Sequence, residues 1–145
     1  MKYLLMGLLI FSACSGAEQV IDDNCKSPIS GTGIVMMDEM HNLMKIDVSS
    51  IEKDKTKTEL LFNEPVSHAL ANHYANESYK KMKGEYLYVK DYIDTYTEYN
   101  ARNLIIKFNF KNNLGKEDVF IVSSLVNDYE CSVRFNGYII VKREF

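Results

Sequence analysis

The strongest constraint on this chain is a change of period after Gly84. Before that residue the apolar side chains recur at helical spacing, and after it they alternate. Leu104, Ile106, Phe108 and Phe110 alternate with Asn103, Lys107, Asn109 and Lys111, which predicts a strand with one buried face. Asn112-Asn113-Leu114-Gly115 reads as a hairpin turn into Val119 to Val126, a continuous apolar run suited to a central strand. Asn127-Asp128 supplies the next turn, and Glu130 to Lys142 returns with Cys131, Val133 and Phe135 facing inward. Gly137 is expected to form a bulge there. Tyr86, Tyr88, Tyr92 and Tyr96 fall on one face of a fourth extended segment, with Leu87, Val89 and Ile93 on the other.

Two helices are expected ahead of these strands. Met36, Met37, Met40, Leu43 and Met44 give a helix over Ile34 to Ile46, its methionine stripe serving as flexible core filling. Asp47 to Thr58 is polar enough for a loop, and Leu60 to Phe62 reads as a short apolar turn. Val66, Ala69, Leu70 and Tyr74 place a second helix over Pro65 to Lys83, capped by Asn63 at its start and Gly84 at its end. Helices first and antiparallel strands afterwards imply an α+β fold, with N-terminal helices packed on one face of a curved four-stranded antiparallel sheet. At 145 residues the chain suits a single core, and residues 27–145 are assigned to one domain.

Lys2 followed by the nine apolar residues Tyr3 to Phe11 has the layout of an export signal, too short to cross a bilayer, which needs roughly 20. Phe11-Ser12-Ala13-Cys14 resembles the lipobox of bacterial lipoproteins, with Phe11 where Leu is usual. The resemblance implies a signal over residues 1–13, a lipid on Cys14, a tether through residue 26 and attachment to the membrane. Ser15 is similar to the sorting residue for the outer membrane, so the domain would face the periplasm. Cleavage after Ala17, giving a soluble periplasmic or secreted protein, is the alternative. With Cys14 in the signal, Cys25 and Cys131 remain as one possible disulfide pair in an oxidising compartment, or as two free thiols.

Side chains suited to catalysis do not converge in the sequence. Asp38 and His41 stand at i,i+3 spacing, which fits a surface ion pair, while His68 and His73 point in different directions on a helix. No zinc-protease, nucleophile-elbow or phosphate-loop motif is present, and two isolated cysteines fall short of a structural zinc set. The chain is therefore read as neither an enzyme nor a cofactor or metal binder. Its formal charge of -3 argues against nucleic acid, and Lys80, Lys81 and Lys83 fit the last turn of a helix, where cations complement the dipole.

The closing Cys131-Ser132-Val133-Arg134-Phe135-Asn136-Gly137-Tyr138-Ile139-Ile140 is similar to the last strand of cystatin-like and nuclear-transport-factor-2-like domains, several of which occur as bacterial lipoproteins. No site carries over from that likeness. Tyrosine offers large contact area with a polar tip, so Tyr86, Tyr88, Tyr92 and Tyr96 are either a partner-binding row or the buried side of a sheet. The function expected is a non-enzymatic, protein-binding envelope lipoprotein with an unidentified partner. An immunity protein against a secreted toxin, a small-ligand-binding cone or an accessory subunit of an envelope complex are the alternatives.

Overall fold

The computed structural model describes residues 24–145; the export signal, Cys14 and residues 15–23 of the tether lie outside them. The fold is α+β, as the period change implies. In chain order it runs α1 (Gly31–Asn42), 3-10 turns at Val48–Ser50 and Lys53–Lys55, β1 (Lys57–Pro65), α2 (His68–Lys81), α3 (Val89–Thr97), β2 (Arg102–Lys111), β3 (Glu117–Val126) and β4 (Arg134–Lys142). The strands form one open antiparallel sheet in the order β1-β2-β3-β4, and α1, α2 and α3 precede β2.

β2 and β3 pair over ten residues without a register shift, from Arg102 opposite Val126 to Lys111 opposite Glu117. The turn between them is the expected one. Gly115 takes φ +78°, and the Asn112 side chain accepts from the Leu114 and Lys116 amides at 3.0 Å each. Alternation buries Leu104, Ile106, Phe108 and Phe110 on one face, where they meet Phe120, Val122 and Val126 from β3 and Met36, Met37 and Met40 from α1. The methionines are core, and α1 is their carrier. Ser30 caps that helix by accepting from the Gly33 amide, so it starts three residues earlier than expected. It ends at Asn42, with Lys45 then in the left-handed region at φ +61°.

The layering is finer than packing on one face. Leu125 alternates with Ser124 and Val126, so it points away from the α1 face, and it clusters with Ala71 and Ala75 of α2 and Tyr96 of α3. α1 therefore covers one face, and the α2–α3 hairpin covers one end of the other.

Three local expectations are corrected. Leu60 to Phe62 is not a turn but the middle of β1, because a bulge at Leu61 breaks the alternation that would have revealed a strand. Pro65 ends that strand, and α2 begins at His68 with Ser67 as its cap; Asn63 instead accepts from Arg102. Tyr86 to Tyr96 is not a strand, since Val89–Thr97 is helical. Tyr88, Tyr92 and Tyr96 are four apart, a spacing that keeps residues on one face of a strand and of a helix alike. Asp91 resolves the ambiguity by accepting from the Tyr88 amide at 2.8 Å, as an acidic residue in a first helical turn does. β4 starts at Arg134 rather than Glu130, and the expected bulge is there: the register slips between Phe135 and Gly137, with Gly137 at φ +119°.

Cys25 and Cys131 are joined, 106 residues apart in sequence, and Cys25 is buried in the α1 core. At the far end of the sheet the buried Asp118 accepts from the amides of Glu144 and Phe145, at 2.6 and 3.1 Å, and pairs with Arg143. Replacing both cysteines by serine is expected to lower unfolding stability by about 2–5 kcal/mol, since the cross-link restrains a long loop in the unfolded chain. Urea denaturation of variant and parent checks this, and a reductant should reproduce the loss in the parent alone.

Candidate open-face binding site

The side of the sheet away from α1 is covered only at one end, and the uncovered part is the best-formed candidate surface. Register places its residues. Phe62 pairs with Ile105, Ile105 with Ser123, Lys107 with Ile121, and Ile121 with Ile139. All four strands thus contribute an apolar residue to one band, in which Ile105 and Ile121 are half-buried while Phe62 and Ile139 are 43% and 63% exposed. Phe62 reaches the band because the Leu61 bulge shifts its register by one residue.

Tyr74 of α2 walls the band on one side. Between it and Ile105, Ile121, Ser123, Asn136 and Ile139 lies a depression of about 300 Å³, open to solvent. Its polar side is a short relay in which Asn136 Nδ2 donates to Ser123 Oγ at 3.1 Å and Ser123 Oγ donates to Asn103 Oδ1 at 3.3 Å. Asn136 Oδ1 has no hydrogen-bond partner among the described residues. Burial pushes the Tyr74 hydroxyl above its ordinary pKa, and the neighbouring Arg134 partly offsets that, so Tyr74 presents a neutral phenol.

Arg134 fixes this wall. Its guanidinium lies 4.5 Å from the centre of the Tyr74 ring, donates to Ser78 Oγ at 2.8 Å and pairs with Glu77 at 2.8 Å. Ser78 Oγ is also 2.9 Å from the Tyr96 hydroxyl. One side chain of β4 thereby holds α2 directly and α3 through Ser78.

The four tyrosines expected to form one row are separated. Tyr96 is buried beside Ser78, and Tyr92 is half-buried 6.1 Å from it, centre to centre. Tyr86 and Tyr88 stand exposed in the α2–α3 connection. Burial of Tyr96 leaves it no surface for a partner. No single strand's pattern predicts the band, although Ile105, Ile121 and Ile139 stand at positions where polar residues would be expected on a solvated face.

His41 and Asp38 do not form the expected pair: His41 Nδ1 lies 3.3 Å from the Ile46 carbonyl oxygen. His73 pairs with Glu77 at 3.5 Å. Among the described residues no three His, Cys, Asp or Glu side chains are grouped to hold a metal ion.

Arg134→Ala is expected to lower stability by about 2 kcal/mol, because it removes a charged hydrogen bond and a ring contact together. Glu77→Gln should cost less than about 1 kcal/mol, as its carboxylate is half-exposed. Urea midpoints of the two variants measure the difference. No family model, curated protein or solved structure matches this chain.

Proposed function

We propose that this chain is a small cell-envelope lipoprotein that binds a protein partner through the open face of its sheet and catalyses no reaction. The observation that carries this reading is the apolar band of Phe62, Ile105, Ile121 and Ile139, which crosses every strand and is left uncovered by the helices. Aliphatic and aromatic side chains gathered at the centre of a surface, with polar groups such as Ser123 and Asn136 beside them, are the composition of a protein-interface core. The depression is open to solvent rather than enclosed, which suits a protruding partner side chain better than a buried small molecule.

The address rests on the sequence. Cys14 receives the lipid, the tether stops short of residue 26 because Cys25 is buried and cross-linked in the domain, and Ser15 directs the protein to the outer membrane, its domain facing the periplasm. The disulfide between Cys25 and Cys131 supports an oxidising compartment.

A photo-crosslinking residue placed at Phe62 or Ile139 in cells is expected to capture one envelope protein, whereas the same residue at Leu43, exposed on the opposite side, captures none. Ile139→Asp should weaken that complex at least about tenfold, as loss of an apolar contact at an interface centre does. Equal capture at all three positions, or none at Phe62 and Ile139, would rule out the open face. The captured protein's identity separates an immunity role, in which it is an incoming toxin, from membership of a resident complex. For the address, Cys14→Ala should abolish lipid labelling and release the chain from membranes; unchanged labelling and retention would refute lipidation.

A further inference from the structure

The α2–α3 connection carries a second surface of different character. Within seven residues it exposes Met82, Tyr86, Leu87 and Tyr88, to 40%, 73%, 42% and 78%. The backbone is pinned by hydrogen bonds on both sides of these residues. Gly84 N–H donates to the Tyr79 carbonyl at 3.1 Å and Lys83 N–H to the Lys80 carbonyl at 3.2 Å, with Lys83 and Gly84 both left-handed, a complete Schellman closure of α2. Gly84 lies against the Tyr79 ring so closely that a Cβ there would be 2.9 Å from the Tyr79 hydroxyl. From the other side, the Asp91 carboxylate fixes the Tyr88 amide at 2.8 Å. The tip is a shaped projection.

Charge distinguishes it from the open sheet face. Lys80, Lys81 and Lys83 form no ion pair among the described residues. Over residues 80–88 the three lysines stand against Glu85 alone; beyond them Asp94 pairs with Lys90, and Asp91 keeps its charge while accepting from the Tyr88 amide. Three lysines without ion-pair partners among the described residues therefore stand within nine residues of two exposed tyrosines, a leucine and a methionine. In a bilayer interface tyrosine rings settle at the level of the headgroups, short aliphatic chains enter just below, and lysines reach back to anionic lipid.

We propose that the α2–α3 tip docks on an anionic lipid surface, with Tyr86, Leu87 and Tyr88 entering the headgroup layer and Lys80, Lys81 and Lys83 pairing with lipid phosphates. The contact is separate from Cys14, and its orienting role in the envelope rests on the lipid anchor proposed above. A tip of this size binds weakly alone, so it acts as an orienting contact on a domain already near the membrane.

The test uses the full chain on vesicles of phosphatidylcholine alone and of phosphatidylcholine mixed with phosphatidylglycerol, reading backbone hydrogen exchange over residues 82–90. Exchange there is expected to slow about tenfold on the anionic vesicles only, and the difference to vanish at high salt. Lys80→Glu, Lys81→Glu and Lys83→Glu combined should erase it, as should Tyr86→Ser with Tyr88→Ser. Exchange of the β2 amides, unchanged in both variants, shows that the fold persists. Equal exchange on the two vesicle types would overturn the proposal. So would protection that appears only when envelope proteins are added, since the tip would then be a protein contact.

Discussion

The β2–β3 hairpin is the constraint against which every other element is placed. Its ten consecutive pairs run without a slip, and every second side chain is committed to one face or the other. The committed face holds Phe108, Phe110 and Phe120 with ring centres 5.4 to 6.1 Å apart, onto which the α1 methionines pack. A one-residue slip would exchange Leu104, Ile106, Phe108 and Phe110 for Ile105, Lys107 and Asn109, so the buried rings hold the register as firmly as the hydrogen bonds do. The edge strands tolerate irregularity because the central pair does not. β1 carries a bulge at Leu61 and β4 slips twice.

Those irregularities have uses. The Leu61 bulge turns Phe62 outward into the open-face band, and the slip around Asn136 sets that side chain against Ser123 in the depression. On the same strand, Arg134 gathers Tyr74, Glu77 and Ser78 of α2, so a single side chain fixes where the helical pair stops and where the open face begins. Both ends of that pair matter for different reasons: one end is buried on the sheet through Leu125, and the other projects Tyr86 and Tyr88.

The sequence makes the fold class, the β2–β3 hairpin, the buried methionines and the Gly137 bulge legible, because each is written in local period or in a turn residue of fixed conformation. The hidden parts are hidden for physical reasons. β1 lacks a clean alternation since its bulge falls in the middle of Leu60-Leu61-Phe62, three apolar residues that resemble a turn or a buried run equally well. The tyrosine segment satisfies strand and helix at once through its four-residue spacing, and only its hydrogen bond at Asp91 and its packing on α2 decide. The open-face band depends on which residues sit opposite one another across four strands, a property of register that no single strand displays.

The Cys25–Cys131 bond also governs how the domain carries load. Residues 26–130, which include both helical layers and three of the four strands, lie inside the covalent loop that it closes. A pull between the N-terminal tether and the far end of the chain bypasses all of them and falls on residues 131–145. In that short stretch extension is resisted by the pairing of β4 with β3, the hold of Arg134 on Ser78 and Glu77, the packing of Phe135 and Tyr138 on the core, and the Asp118 clasp on Glu144 and Phe145. When that stretch yields, the open face loses Ile139, Asn136 and the Arg134 hold on its Tyr74 wall, while β1 to β3 stay enclosed by the covalent loop.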